Sequence, residues 1–525
     1  MDGDFKTDIT RDSFNITNIL KASKQPRSFS RVLKQQGRMD LDADWNELVD
    51  ILLYQQRTAL ADIIGPHAGP ADASGNVPGF AIGVPQKGQK YSVNVGAGRY
   101  YVDGIPCERR ERLLGDDCLI PEDERAEVDG NGEAHSLIYL DVWEREVTAL
   151  EDDAIRESAL SGPDTATRAE VVFQIRFGDV SKLTKEPPAQ ETAGLFWTEL
   201  LHKWTLGQYG HLKARTDPDT TSTDPCVTPP SSGYRGLENQ LYRVEIHRSG
   251  IAYPESAITS QRGGSNRPSS SGSAKKESTQ PDATGQAYVT FKWSRENGSV
   301  AFLVEGALSI SETINVTLKN LGPDDSRYSL QTGNWVELID LSLVPNETPG
   351  PLFQVETVDN ATMQVTLTIG KGQKAPAESD LNGPFLLRRW DYKAGDPQDT
   401  ANDDWPITIG DDGAAMLIEN HWLTLEAGVQ ILFFADPNQK DPTQYRAGDY
   451  WLIPARTDTG ELEWPFTKDA KGKRQPDPVP PHGVVHHYAP LALVTFTKEG
   501  TIAIANDKPA IIDLRRKIHQ GWDAL

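Results

Sequence analysis

Residues 41–65 and the chain after residue 89 obey two different periodicities, and that switch fixes the fold class. In the first stretch Trp45, Leu48, Val49, Leu52, Leu53, Ala59, Leu60, Ile63 and Ile64 recur at helical i, i+3, i+4 spacing. Gly65 and Pro66 stop the run. Asp44 has the chemistry of an N-cap, and Glu47 follows three residues later, as a capping box requires. The spacing therefore predicts an amphipathic helix over 44–64, with Trp45, Leu48, Leu52 and Ile63 buried against the β-region or a neighbouring subunit. From about residue 89 the alternation becomes twofold, as half-buried strands require.

The strand-like segments are short and closely spaced. Tyr91–Val95 is followed by Arg99–Val102, the turn pair Asp103-Gly104 and Ile105–Cys107, a type I′ hairpin sequence. Leu137–Trp143 and Val171–Phe177 continue the pattern, with Glu151–Leu160 as a short helix or ordered loop between them. Residues 287–392 read as an all-β run with turns at short intervals. Ala415–Glu419, His421–Glu426, Val429–Phe434, Tyr450–Pro454 and Leu491–Thr497 follow. No fixed period marks a solenoid or propeller. The expected fold is mainly β: an N-terminal arm and amphipathic helix, then several β-sandwich or barrel-like domains.

A chain of 525 residues exceeds one core, and about two to four domains are expected. The arm is placed at 1–40 and the helix at 41–66. A first β-rich domain spans 67–215, a second 216–392 and a C-terminal one 393–525. Ser, Gly, Lys, Thr and Gln dominate 256–285, which reads as an insertion in the second domain. Thr216–Gly233, with prolines at 218, 225, 229 and 230, reads as a surface loop.

The net charge of −23 repels phosphate backbones and anionic lipid heads, which argues against nucleic-acid and membrane partners. No apolar run approaches the roughly 18 residues that span a bilayer, so no direct membrane insertion is expected. The acidic, polar start MDGDFKTDITRD lacks the pattern of a signal peptide, and cytoplasmic assembly is the expectation. Cys107, Cys118 and Cys226 are too few for a disulfide framework. Cys107 and Cys118 could meet across a hairpin or remain free thiols.

Three clusters have the residue types of chemical sites. His482, His486 and His487 include a pair at metal-ligand spacing, but Pro481, Gly483 and Pro490 oppose the helix that spacing needs. Metal binding and packing in a turn-to-strand segment are the two readings. Asp40, Asp42 and Asp44 begin like a calcium loop, yet Trp45 and Ile51 occupy positions where Gly and Glu are needed. Asp141, Glu144 and Glu146 could pose as a glycosidase carboxylate pair. Alternation sends Glu144 and Glu146 to one face, towards solvent. No nucleophile elbow, zincin helix, P-loop or dinucleotide fingerprint occurs, so no catalytic, cofactor-binding or metal-binding residue is assigned. The twelve tryptophans fit β cores or interfaces, with sugar-binding platforms as the other use.

Residues 1–40 are expected to form an extended assembly arm. Phe5, Phe14 and Phe29 with Arg27, Arg31 and Arg38 are aromatic and arginine anchors of the kind interfaces favour.

The stretch FSRVLKQQGRMDLDADWN (Phe29–Asn46) resembles the N-terminal block of a bacterial family of unknown function encoded with contractile injection systems, which are phage-tail-like particles. Further similar blocks are YLDVWEREVTALED with GPDTATRAEVVFQIR within Tyr139–Arg176, GLENQLYRVEIH, FKWSRENGSV, DYWLIPART and PHGVVHHYAPL. The resemblance spans almost the whole chain. It implies a non-enzymatic structural subunit, an accessory shell or cage at the baseplate end. Other baseplate subunits, and further copies of the chain in a symmetric homo-oligomer, would be its partners. A fibre- or adhesin-like glycan- or receptor-binding module is the alternative, and a hydrolase or delivered effector the second.

Overall fold

The structure is a computed structural model. It describes residues 29–518 apart from 87–88, 115–117, 131, 181–196, 199, 202–209, 217–232, 256–286, 311–312, 323–326, 342–348, 370–383, 392–406, 411, 437–441, 470–471, 473 and 504–509. The insertion expected at 256–285, the proline-rich segment and Cys226 thus lie outside the described residues, as do Phe5, Phe14 and Arg27. The architecture is mainly β, with one long helix near the N-terminus and several antiparallel sheets.

The chain forms two compact units. One holds 1–147, 165–207 and 484–525; the other holds 148–164 and 208–483. These units do not follow the sequence divisions at 215 and 392. The cause is long-range pairing, which local patterns cannot reveal. Strand His487–Thr497 lies against Glu133–Val147, in register from His487↔Val142 to Thr497↔Glu133. The C-terminal segment therefore completes the first unit rather than founding a third domain.

In the first unit the 15-residue strand Glu133–Val147 is the spine of a four-stranded sheet. Its other neighbour is Arg168–Asp179, paired along twelve positions, and Ile511–Asp513 flanks His487–Thr497. A register shift falls between Pro490 and Ala492. Proline has no N–H to give a ladder, and a bulge is where a strand tolerates that loss. One face of the sheet packs Ile138, Leu140 and Val142 with Leu491, Val494 and Phe496. The other packs Leu137 and Leu493 with Trp197 and Leu200. The expected hairpin forms between Gly98–Val102 and Ile105–Arg109. Asp103 (φ 46°) and Gly104 (φ 78°) are both left-handed, as a type I′ turn demands. A Cβ on Gly104 would lie 2.5 Å from the Arg57 carbonyl oxygen, so only glycine admits the helix backbone this close.

In the second unit six strands form a closed barrel in the order Ala301–Ile310, Thr313–Leu318, Gln364–Thr368, Leu352–Asp359, Trp335–Asp340 and Phe385–Trp390. The last returns to the first through Ala301↔Arg388 to Leu303↔Leu386. Closure removes the exposed edges of the sheet. Ile314, Val336, Phe353, Val365, Leu367 and Leu387 fill the interior. A five-stranded sheet ordered Ala415–Met416, Thr290–Ser294, Gln240–Arg248, Tyr450–Arg456 and Glu461–Leu462 shares a larger core with a three-stranded sheet. Val244, Phe291, Trp293, Ile431, Phe433 and Trp451 are its centre. Among the described residues no helix is long and apolar enough to cross a membrane.

Candidate interaction surface

The helix spans Asp42–Ile64, two residues earlier than its sequence boundary. Leu41 occupies the N-cap, and its side chain makes no capping hydrogen bond. The expected capping box of Asp44 and Glu47 is thus not formed. Asp42 and Asp44 sit inside the first turn, where carboxylates complement the positive end of the helix dipole. Gly65 ends the helix with φ 90°, its N–H bonded to the Ala61 carbonyl, as the Gly-Pro signal implied.

The helix packs on the first unit along both flanks of its Trp45 stripe. Ile51 is completely buried on one flank, and Leu53, Leu60 and Ile64 are half-buried on the other. Arg57 reaches Glu144 with both guanidinium Nη atoms, at 2.7 and 2.8 Å. Glu144 was expected to face solvent; instead its side chain is largely covered by that clamp.

The face that carries Trp45 and Ile63 is not buried against the β-region, the first of its two expected partners. Trp45 is 62% exposed, Leu52 53% and Ile63 81%, while Leu48 is half-buried. At 100° per residue Trp45, Val49, Leu52, Gln56, Ala59 and Ile63 fall within an 80° arc, and all six are exposed. The lead-in continues the pattern. Phe29, Leu33, Met39 and Leu41 are exposed, as are Arg31 and Arg38. Residues 29–41 have no strand or helix before the helix proper and one turn, in which the Arg38 N–H bonds the Gln35 carbonyl. Lys34 pairs with Asp40 at 2.9 Å on the surface.

Nineteen large apolar side chains are exposed among the described residues, and nine of them lie between Phe29 and Ile63. Scattered single exposures are normal, but four of these nine, Trp45, Val49, Leu52 and Ile63, share one helix face, the pattern that interaction surfaces show.

The other clusters go to structural partners. His486 Nδ1 lies 2.7 Å from Asp141 Oδ1, and its ring is tilted against Trp143. His487 Nδ1 lies 2.9 Å from Asp103 Oδ2. His482 exchanges backbone hydrogen bonds with Tyr450. Among the described residues no three His, Cys, Asp or Glu side chains converge as a metal would need. Cys107 and Cys118 are both buried and do not pair with each other, and burial pushes Cys107 up to about 12. Trp143, Trp293, Trp390 and Trp451 are buried, whereas Trp45 is exposed; Trp405 lies outside the described residues.

A buried charge network in the second unit has no counterpart in the sequence reading. Lys292 Nζ sits 2.8 Å from Glu337 Oε2 and 3.2 Å from Glu245 Oε1. Arg243 Nε donates to Glu245 Oε2 at 2.6 Å, and Trp390 Nε1 donates to Glu337 Oε2 at 2.9 Å. Burial would raise Glu245, but the Lys292 and Arg243 cations outweigh it and hold the carboxyl down to about 2. Glu337 is lowered in the same way, burial being overcome by Lys292 and His247. Burial, with the Lys292 charge, lowers His247 to about 4, and its Nδ1 has no hydrogen-bond partner among the described residues. Strand Thr290–Ser294 is buried at every position, so Lys292 cannot turn outward as a twofold pattern would place it.

The chain matches a family of unknown function, DUF6519, over residues 20–193 and 199–501, and belongs to it. No curated protein and no solved structure matches the chain.

Proposed function

We propose that the chain is a non-enzymatic structural subunit of a contractile injection particle, an accessory shell component at the baseplate end. Nine exposed apolar side chains within Phe29–Ile63 carry the assembly part of this reading. A surface of that kind is stable in water when another protein covers it. The injection-particle setting rests on the family resemblance of the sequence blocks, and partners there would be neighbouring baseplate subunits and further copies of the chain.

The test is to isolate sheath and tube particles from cells that express the native chain and to image its position. Co-purification with density at the baseplate end is the expected result. A folded Leu52→Glu variant should be depleted from those particles. A chain that never accompanies the particles would overturn the proposal.

A further inference from the structure

We infer that the helix Asp42–Ile64 pairs with the same helix of a second copy of this chain, as a parallel, in-register, two-stranded coiled coil. The inference names one partner for the assembly surface and rests on that reading for its biological setting.

The exposed stripe has the spacing of a coiled-coil seam. Trp45, Val49, Leu52, Gln56, Ala59 and Ile63 follow at alternating steps of four and three residues. They therefore occupy d, a, d, a, d and a of successive heptads. A helix that only lies on its own domain needs no such regularity on its outer face, because Ile51 and Arg57 already dock the inner one. The seam runs eighteen residue steps, roughly 27 Å at 1.5 Å per residue.

Three features select a second copy rather than an unrelated helix. Val49 and Ile63 are β-branched residues at a, and Leu52 is at d, the combination that favours two parallel strands. Gln56 is a polar residue at the central a position. In a parallel, in-register pair it meets its own counterpart, and two amides can bond each other; an antiparallel pair would set it against Leu52. The charges also stand aside. Asp44, Glu47, Asp50 and Arg57 fall at b, c or f, and the flanking e and g positions are Asn46, Leu48, Leu53, Gln55, Leu60 and Asp62. Two copies of a chain of net charge −23 can thus meet here with a single acidic side chain beside each seam.

The test uses the full chain. Sedimentation across a concentration series should show a reversible dimer, and Leu52→Glu should weaken it at least roughly tenfold while circular dichroism and thermal unfolding of the monomer stay unchanged. Trp45→Cys and Ile63→Cys, made singly in a Cys226→Ser background, should each form a disulfide-linked dimer on mild oxidation. An antiparallel pair would place residue 45 opposite residue 63, and neither single variant would then cross-link. A wild-type chain monomeric up to roughly 100 µM, or a dimer that neither cysteine traps, would overturn the inference. A monomer that still accompanies injection particles would reject this pairing and leave the proposed function standing. A trapped dimer that never accompanies them would do the reverse.

Discussion

Arg57 and Glu144 join the helix to the spine of the first unit through two parallel hydrogen bonds, Nη1 to Oε2 and Nη2 to Oε1. The fork matches the carboxylate in a way that a lysine cannot. Both side chains are mostly covered, so losing either partner strands the other. Arg57→Ala is expected to cost about 1.5–3 kcal/mol in urea unfolding. Arg57→Lys should recover only part of it. Hydrogen exchange should quicken along 42–64 before it quickens in 133–147. Unchanged exchange in the helix would show that Ile51 alone holds it.

The two faces of the helix should respond oppositely to truncation. Ile51 is fully buried, and Ile51→Ala should destabilise the chain by about 2–5 kcal/mol through lost burial and a residual cavity. Trp45 is mostly exposed, so Trp45→Ala in the dissociated chain should change stability by less than about 0.5 kcal/mol. The ranking is unusual, since the smaller side chain matters more. Denaturant midpoints of the two variants at low protein concentration check it.

This contrast marks how far the sequence could be read. Apolar spacing from Trp45 to Ile64 and the Gly65-Pro66 stop located the helix, and Asp103-Gly104 located the hairpin, because both signals are local. What covers a stripe is not local. A heptad seam and a core-facing stripe use the same residues, and only the placement of Ile51 and Arg57 shows which side faces inward. Glu144 looked solvent-facing for the same reason, its partner being 87 positions away. The pairing of His487–Thr497 with Glu133–Val147 spans some 350 residues and leaves no local trace. Lys292, between Phe291 and Trp293, resembles the outward residue of an ordinary alternating strand, and only the barrel residues Glu337 and Trp390 reveal why it is buried.

Acid should destabilise the protein earlier than its carboxylates alone would suggest. His247 and His67 are buried with folded values lowered to about 4, in His67 by burial and then by the Arg516 charge. Between 6.5 and about 4 the unfolded chain binds protons that the folded chain refuses. Stability is therefore complete above 6.5 and falls as pH drops through that window. Each histidine contributes roughly 3 kcal/mol of loss by pH 4. Glu245 acts in the same direction lower down, between its ordinary range and about 2. Urea titrations at pH 7, 5.5 and 4.5 should show the fall, and His247→Gln should flatten it. A wild-type profile level from pH 7 to 4.5 would reject this account.

The Lys292 network makes the sharpest prediction about the second unit. Its side chain is 2% exposed and holds two buried carboxylates, Glu245 and Glu337. Removing the cation leaves two like charges without their principal partner, although Arg243 still serves Glu245 and Trp390 still serves Glu337. Lys292→Met should therefore cost about 3–5 kcal/mol, well beyond the lost packing of a side chain of similar length. The decisive comparison is the triple variant Lys292→Met, Glu245→Gln, Glu337→Gln. If the cost arises from stranded charge, the triple variant should recover most of it, because neutral amides in the same space carry a far smaller burial penalty. Thermal unfolding and urea midpoints of the single and triple variants measure the difference. A triple variant no more stable than Lys292→Met would mean that the ammonium acts through packing against the Trp390 ring, over which it lies at 4.5 Å, rather than through the carboxylates.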